Sequence, residues 1–286
     1  MYKRQVLALA GIGFTAAVWE HMADALFAER GRRSTYCRLY AIDPPGHGNS
    51  GLPNGMLFGD MTLLDLLTAY RNTWERLTEL GVTPETVIGH SQGALLTQLL
   101  QNRLLEEGSS LRAEFGARDA VLLGASPPAA IEWSAASPDL LALLSGFVTF
   151  TPERGTFAVA PPEAWVGISY TNFAGVPHPD TPLADLPRTT SPESIPSMLE
   201  LFGFAGFARP EVQRGVFARG NGTRLSVVAF TQDPFGLVSE QEELYEYLTN
   251  DCRLSRFAVV EDEFAVHNLH DAQPELILDA LSRLGR

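Results

Sequence analysis

The sequence predicts an α/β fold in which a mostly parallel β-sheet is flanked by helices. Two observations support this prediction: short aliphatic segments alternate with longer amphipathic ones, and the short segments are mostly apolar without strict alternation of polar residues. Strands of that kind are buried on both faces, which is typical of parallel sheets covered by helices. The chain has 286 residues, of which 45% are hydrophobic, so it can bury the core that such a sheet needs.

The individual elements follow from local composition, in chain order. The predicted strands are residues 6–10, 37–42, 86–88, 120–123, 225–230 and 257–260. Helices are predicted over 17–30, 61–80 and 93–106. In the 61–80 segment apolar side chains recur at three- and four-residue spacing, which indicates a helix face that packs on the core. These side chains are Leu63, Leu66, Leu67, Tyr70, Trp74 and Leu77.

The alternation of strands and helices stops between residues 127 and 222. This stretch holds 13 of the 19 prolines and 11 of the 27 aromatic residues of the chain. Proline lacks the backbone N–H that sheets and helix interiors use, so this density favours short helices and irregular chain. We therefore predict a helical or irregular cap of residues 127–222, inserted into an α/β core of residues 1–126 and 223–286.

The charge balance and the cysteines exclude several classes of function. The chain carries 34 acidic and 21 basic residues, which gives a net charge of −13. An acidic surface repels nucleic-acid phosphates and anionic lipid head groups, so neither nucleic acid nor a membrane is an expected partner. Cys37 and Cys252 have no further Cys or His at metal-ligand spacing. We therefore expect no metal, no cofactor and no disulfide framework.

The first 25 residues allow two interpretations. Lys3 and Arg4, an apolar run over 5–19 and small residues at 23–25 resemble a secretory signal. The same run contains the first predicted strand, which cleavage after residue 25 would remove. We favour the strand and expect a cytoplasmic protein, and no other apolar run reaches the roughly 20 residues of a membrane span.

A serine near residue 90 has the sequence context of a catalytic nucleophile. Residues 89–93 read Gly-His-Ser-Gln-Gly, a G-x-S-x-G motif that follows a short apolar strand and opens a helix. A nucleophile elbow requires this strand–turn–helix, because its serine lies in a strained turn whose neighbours have no room for Cβ atoms. The alternative interpretation is a Gly-Ser loop without chemistry. Ser91 is therefore the candidate nucleophile.

A serine hydroxyl needs a base to activate it, and the base needs an acid to orient it. Asp233 comes directly after the predicted strand 225–230, and His267 follows the last predicted strand. Ser91, Asp233 and His267 occur in the chain order of a triad on the strand–turn–helix scaffold described above.

These motifs together make the whole chain resemble an α/β-hydrolase. The segment 43–50 reads Asp-Pro-Pro-Gly-His-Gly-Asn-Ser. The segment from His267 to Pro274 shows the family's seven-residue step from the catalytic histidine to a proline. The resemblance implies a serine hydrolase with its cap inserted after the sixth sheet position. The matching segments are residues 10–19, 43–50 and 89–93, the turn at Asp233 and the segment from His267 to Pro274.

The resemblance also implies an oxyanion hole built from backbone N–H groups. In this family one donor lies in the turn after the first central strand, and the other belongs to the residue after the nucleophile. Here these residues are Ile12 and Gln92, with Gly13 a nearby candidate. The sequence departs from the family at Ala10, where a histidine is usual, and at Val266, where a glycine is usual. The first change loses a side-chain contact but no N–H donor.

Other titratable residues have simpler interpretations. His270 lies three residues after His267, but the spacing to the family's proline favours His267 as the base. His47 is expected to be structural within its tight turn, or to line the mouth of a pocket. Glu132 is the alternative acid, and His90 is expected to be a packing residue.

Three functions remain open, of which we favour a serine hydrolase that cleaves a carboxylic ester, lactone or thioester of a hydrophobic small molecule. An acidic cap disfavours the acidic carriers of a type II thioesterase. Residues 11–16 also satisfy the dinucleotide pattern G-x-G-x-x-A, although Asp43 comes later than that fingerprint's acid. The third possibility is non-hydrolytic use of the scaffold as a lyase, cyclase, cofactor-free oxygenase or receptor.

The aromatic residues of the cap predict either an apolar pocket over Ser91 or a core of the cap itself. A hydrophobic small molecule is accordingly the expected partner. The candidate pocket residues are Trp133, Phe147, Trp165 and Phe204.

Overall fold

Two β-sheets and the helices around them make up the part of the chain that the structure describes. The computed structural model describes residues 4–28, 37–136, 148–159, 164–204, 206–250 and 255–284. The strands are β1 (Arg4–Leu9), β2 (Cys37–Ile42), β3 (Thr86–His90), β4 (Asp119–Leu123), β5 (Val148–Thr151), β6 (Thr156–Val159), β7 (Glu193–Ser194), β8 (Arg224–Phe230) and β9 (Arg256–Val260). The helices are α1 (Glu20–Ala28), α2 (Leu63–Glu79), α3 (Gln92–Glu106), α4 (Leu111–Phe115), α5 (Ala164–Ser169), α6 (Leu186–Thr189), α7 (Ile195–Phe202), α8 (Val238–Thr249), α9 (Leu269–Ala272) and α10 (Pro274–Leu284).

The larger sheet has the strand order β2-β1-β3-β4-β8-β9, and every neighbouring pair is parallel. The six predicted strands are thus confirmed, each to within two residues of its predicted ends. From β1 the chain crosses to β2 on one side and then returns to β3 on the other side. Such a reversal of strand order opens a crevice at the carboxyl ends of β1 and β3, where α/β proteins bind ligands.

The apolar strands form the core, as their composition predicts. Leu7, Val87, Leu122 and Val227, one from each of four adjacent strands, are fully buried. Burial of a side chain of this size contributes about 1.5–3 kcal/mol relative to exposure. The helices α3, α8 and α10 pack on β3, β8 and β9.

Helix α2 shows the apolar face predicted from its spacing. Thr62 and Asp65 form a capping box at its N-terminus, in which each side chain bonds the other residue's backbone N–H. Trp74 stacks on Phe115 of α4 with ring centroids 4.5 Å apart. Of the predicted face, Leu77 is partly buried and the remaining five side chains are buried: Leu63, Leu66, Leu67, Tyr70 and Trp74.

The segment between β4 and β8 contains more regular structure than its proline content predicts. It includes an antiparallel sheet of order β5-β6-β7 and the helices α5, α6 and α7. Three of the prolines lie at or near the ends of these strands: Pro152 begins the turn between β5 and β6, and β7 lies between Pro192 and Pro196. The expectation of a purely helical or irregular segment is therefore wrong, whereas the boundaries of the cap stay a prediction.

Hydrogen bonds across the sequence tie this segment to the main sheet. The Ser194 hydroxyl donates to the Met61 carbonyl at 2.6 Å, and the Thr15 N–H donates to the Thr189 carbonyl at 2.8 Å. The Leu63 N–H, at the first turn of α2, donates to the Glu200 carboxylate at 2.7 Å. Each bond satisfies a group that the local chain leaves without a partner.

A buried ion pair joins the turn after β2 to β7. His47 Nε2 lies 3.3 Å from Glu193 Oε2, and both side chains are at most 1% exposed. His47 Nδ1 lies 3.1 Å from the Pro45 carbonyl, so Nδ1 carries a proton. Nε2 then faces the carboxylate favourably only when it is protonated as well. The contact therefore favours the imidazolium form of His47 and gives this residue a structural role.

The described residues bear on two further expectations, which concern a membrane span and the pairing of the two cysteines. Among them, no helix combines the length and the apolar composition that crossing a bilayer requires. Cys37 lies in β2, whereas Cys252 falls outside the described ranges, so the expectation about their pairing stays a prediction.

We expect the contact between His47 and Glu193 to stabilise the fold most between about pH 4.5 and 6.5. Burial lowers the pKa of His47, but the Glu193 carboxylate outweighs burial and the net pKa is raised. Burial raises the pKa of Glu193, but His47 outweighs burial and the net pKa is lowered. Stabilisation from His47 is therefore lost as the pH rises through its raised pKa, and that from Glu193 as the pH falls through its lowered pKa.

Urea unfolding at pH 6.0 and pH 8.5 measures this dependence. His47→Gln leaves a buried carboxylate without a cation and should cost about 3–5 kcal/mol at pH 6.0. The free energy of unfolding that Glu193→Gln costs should be smaller at pH 8.5 than at pH 6.0. Arg76→Gln, which removes an exposed pair with Glu79, serves as the control and should cost at most about 1 kcal/mol. A loss for Glu193→Gln that does not change with pH would contradict the argument.

Candidate active site

Ser91 lies in the turn between β3 and α3, in a backbone conformation that few residues adopt. Its φ is 52° and its ψ is −116°, and among the described residues only Asn250 shares a positive φ without being glycine. Such a conformation costs about 1–3 kcal/mol and persists only where the surroundings impose it. Here the Ser91 N–H donates to the Leu123 carbonyl at 3.1 Å, which holds the turn against the end of β4.

The glycines on either side of Ser91 are required by close backbone contacts. A Cβ atom on Gly89 would lie 2.5 Å from the Gly93 carbonyl oxygen. A Cβ atom on Gly93 would lie 2.4 Å from the Leu9 carbonyl oxygen, at the end of β1. The G-x-S-x-G pattern therefore has the physical cause that the sequence predicts.

Asp233 and His267 form a buried pair. His267 Nδ1 lies 2.9 Å from both carboxylate oxygens of Asp233, and the two side chains are 6% and 0% exposed. The Phe235 N–H also donates to Asp233 at 2.8 Å. Asp233 reaches over the end of β4, because a Cβ on Gly124 would lie 2.8 Å from its Oδ2. With Nδ1–H donated to the carboxylate, Nε2 of neutral His267 keeps its lone pair.

Two further histidines pack behind His267. His90 Nε2 lies 3.0 Å from the His267 carbonyl oxygen, and the His90 ring lies 4.5 Å from the His267 ring and 4.2 Å from the His270 ring. Burial and the neighbouring histidines lower the pKa of His90 well below its ordinary value. Burial and His267 lower the pKa of His270 to about 3. Both rings are therefore neutral at physiological pH and add no positive charge beside His267.

The turn after β1 lies directly against Ser91. A Cβ atom on Gly11 would lie 3.1 Å from Ser91 Cβ. Neither the Ile12 N–H nor the Gln92 N–H donates a hydrogen bond to another described residue. Gln92 is also the first residue of α3, where the helix dipole favours negative charge. These two N–H groups are therefore available for an anionic oxygen next to Ser91.

Ser91, His267 and Ile12 line one small cavity of about 50 Å³. Ser91 is 7% exposed and His267 is 5% exposed, so little of either residue is in contact with solvent. Six of the fourteen described residues that line the cavity are Phe or Trp. The aromatic rings that line it belong to Phe14, Trp133, Phe157, Trp165, Phe202 and Phe235.

The predicted pocket residues have different positions. Trp133 and Trp165 line the cavity, whereas Phe147 lies outside the described residues. Phe204 is buried but stacks behind Phe202 at 5.5 Å, because Gly203 in a left-handed conformation turns the chain at the end of α7. Phe204 therefore does not line the cavity, and its predicted assignment to the pocket is wrong.

Sequence reasoning missed four of the aromatic wall residues. Phe14 and Phe235 carried a usable signal, since each lies two residues from a predicted site residue. Phe157 and Phe202 had no such signal, because their positions depend on how β6 and α7 pack.

The structure also bears on the alternative sites. Glu132 is exposed, whereas Asp233 contacts His267. Both Asp43 carboxylate oxygens accept backbone N–H groups, from Ala16 at 2.7 Å and Asn49 at 2.9 Å. This carboxylate therefore braces the turns after β1 and β2 and is not free for a ribose. In the described ranges, no three His, Cys, Asp or Glu side chains are arranged to hold a metal ion.

Comparison with known proteins identifies the family of this chain. The profile described as "Alpha/beta hydrolase family" matches residues 6–280 of the chain. The chain belongs to the alpha/beta hydrolase family. No curated protein matches its sequence at a significant level.

Solved structures resemble this alpha/beta hydrolase along almost its whole length. Polyneuridine aldehyde esterase has a TM-score of 0.61 at 14% identity, with 100% of both chains covered. A structure from a study of carboxylesterases of the thaumarchaeon Nitrososphaera gargenis has a TM-score of 0.62 at 15% identity, covering 99% of this chain and 89% of that one. Naproxen esterase from Bacillus subtilis has a TM-score of 0.59 at 15% identity, covering 99% and 84%. At these identities the likeness shows the fold, a mostly parallel sheet flanked by helices.

We expect Gly93→Ala to destabilise the hydrolase. The added methyl would meet the backbone carbonyls of Leu9 and Ala10, which cannot move without separating β1 from α3. Overpacking of this kind costs about 1–3 kcal/mol or more. The matched control is Gly51→Ala, since a Cβ there meets nothing within 4 Å. Urea unfolding measures both, and equal stabilities of the two variants would argue against a steric role for Gly93.

Proposed function

We propose that this hydrolase is a serine esterase that cleaves a carboxylic ester of a hydrophobic small molecule through an acyl-enzyme on Ser91. The observation that carries the proposal is the cavity into which Ser91 and His267 both open, with Asp233 bonded to the far side of the imidazole. An apolar wall around these groups favours an apolar substrate. The esterase relatives of the same fold agree with ester hydrolysis.

In the acylation step, neutral His267 acts as the general base. Its Nδ1–H donates to Asp233, so the lone pair on Nε2 takes the proton of the Ser91 hydroxyl. Ser91 Oγ attacks the carbonyl carbon and the carbonyl oxygen becomes an alkoxide. When this intermediate collapses, the bond to the alcohol oxygen breaks and the imidazolium returns the proton to the leaving alcohol. The product of the step is the acyl ester of Ser91.

Two backbone donors stabilise the alkoxide. The N–H groups of Ile12, in the turn against Ser91, and of Gln92, the next residue in the chain, have no other described acceptor. Removal of one such donor typically costs about 3–4 kcal/mol of transition-state stabilisation. Because both are backbone groups, the turn after β1 and the start of α3 must keep their spacing.

In the deacylation step, water replaces the alcohol. His267 takes a proton from water, the hydroxide attacks the acyl carbon, and the imidazolium returns the proton to Ser91 Oγ as the acid leaves. The neutral rings of His90 and His270 do not repel the imidazolium that forms in both steps. Asp233, which is fully buried, compensates its charge.

We expect Ser91→Ala to lose ester hydrolysis by at least about 10³-fold and to lose covalent labelling by a fluorophosphonate. The measurements are turnover of p-nitrophenyl butyrate and mass spectrometry of the labelled protein. Ser169→Ala is the matched control, because Ser169 lines the same cavity and its loss should leave the label on Ser91. A folded wild-type protein that resists the label, or a fully active Ser91→Ala variant, would rule out the acyl-enzyme.

The acid of the proposed triad can be tested against its alternative. Asp233→Asn should reduce kcat by about 10³–10⁴-fold, because the amide donates to Nδ1 and forces the proton onto Nε2. Glu132→Gln should change kcat less than twofold, since Glu132 is exposed and does not contact His267. Steady-state kinetics decide between them. The reverse pattern would assign the acid to Glu132 and leave Asp233 structural.

A further inference from the structure

The size of the cavity limits the group that it can hold. Its volume is about 50 Å³. An engineered cavity that binds benzene is about three times as large.

One side of the wall is held by a hydrogen bond and by stacking. Trp133 Nε1–H donates to the Phe235 carbonyl at 2.6 Å. The Trp133 ring stacks on Phe202 at 5.1 Å with an interplanar angle of 8°, and Phe202 stacks in turn on Phe204. Rotation of Trp133 would break a buried hydrogen bond and its stacking on Phe202, so this side does not open by a simple change of rotamer.

The other side of the wall rests on the turn that precedes α1. Trp165 from α5 packs so closely on Gly13 that a Cβ there would lie 2.8 Å from the indole ring. The ring also lies 4.7 Å from Phe14. Trp165 is 5% exposed. Its indole therefore closes the cavity against the same turn that carries the Ile12 N–H.

The described side chains of the wall offer no opposite charge to a charged group. Of the described side chains that line the cavity, none is Asp, Glu, Lys or Arg. The polar ones are His90, Ser91, Ser169 and His267. His90 is neutral, because burial lowers its pKa. A carboxylate or ammonium group in this space would lose its hydration without gaining an opposite charge.

The order of product release assigns the cavity to the acyl half of the ester. The alcohol must leave, and water must enter, while the acyl group is still bound to Ser91. An alcohol held in a closed space behind the acyl group could not leave before deacylation. The closed end therefore holds the acyl group, and the alcohol lies toward the opening.

We propose that the acyl half of the substrate is a short, uncharged chain of two to four carbons, and that Trp165 sets this limit. This inference rests on the proposed esterase function and specifies its substrate class. The alcohol half is not limited in the same way. Trp165 is a specificity-determining residue here, not a catalytic one.

A series of p-nitrophenyl esters tests the limit with the wild-type protein. From acetate to butyrate kcat/KM should be highest, and it should fall by about 100-fold or more at octanoate, since overfilling a packed site is unfavourable. A second series of acetates with methyl, butyl and octyl alcohols should vary less than about tenfold. A preference for octanoate, or a length limit in the alcohol series instead, would overturn the assignment.

The role of Trp165 is tested by enlarging the cavity. Trp165→Ala should move the optimum to hexanoate or octanoate and raise kcat/KM for octanoate by about tenfold or more relative to butyrate. The control is Phe173→Ala, a 58% exposed aromatic side chain from the same segment, which should leave the chain-length profile unchanged. An unchanged profile for folded Trp165→Ala would remove the role of Trp165, and the wild-type series tests the limit even if that variant does not fold.

The outcomes separate the two proposals. If no ester in either series is hydrolysed and Ser91 resists the fluorophosphonate, the esterase function itself fails. If Ser91 is labelled and long-chain esters are the best substrates, the function stands and only the acyl-length limit fails.

Discussion

The site depends on one backbone constraint, the left-handed conformation of Ser91 between a buried strand and a buried helix. This conformation is unfavourable by itself, and the packing of β3 and α3 imposes it. Gly89 and Gly93 are required because the turn brings their Cα atoms against neighbouring backbone. The side chain that results is held by the fold before any substrate arrives. In the proposed reaction, a side chain held in this way avoids the cost of being ordered during the chemical step.

The parallel sheet brings the remaining groups to that serine. The turns after β1, β3, β8 and β9 carry Ile12, Ser91, Asp233 and His267, and all four turns lie at the carboxyl edge of one sheet. His90 links two of these turns through the His267 carbonyl. The segment between β4 and β8 then closes the edge with aromatic side chains and is itself tied to the sheet by buried polar contacts. The geometry of the site is thus a consequence of strand order.

Much of this arrangement could be predicted because its signals are local. Each strand of the larger sheet contains a short apolar run, and the glycines of the serine motif mark a turn without room for Cβ atoms. Other features had no local signal. His47 looked structural from its turn, but its partner Glu193 comes from a distant strand. Phe204 is an aromatic residue of the predicted cap, as Trp133 and Trp165 are, so the sequence predicted the same position for all three. A turn at Gly203 instead places Phe204 behind Phe202.

The sequence by itself therefore determined the α/β class, the positions of six strands, the strained serine turn and the residues that follow two later strands. These follow from hydrophobic pattern and backbone stereochemistry, which act over a few neighbouring residues. Only the tertiary structure decided that Nδ1 of His267 faces Asp233, that His47 faces Glu193, and that the cavity beside Ser91 is small and apolar. Those properties depend on distances between side chains far apart in the chain, and a pattern of residue types does not specify such distances.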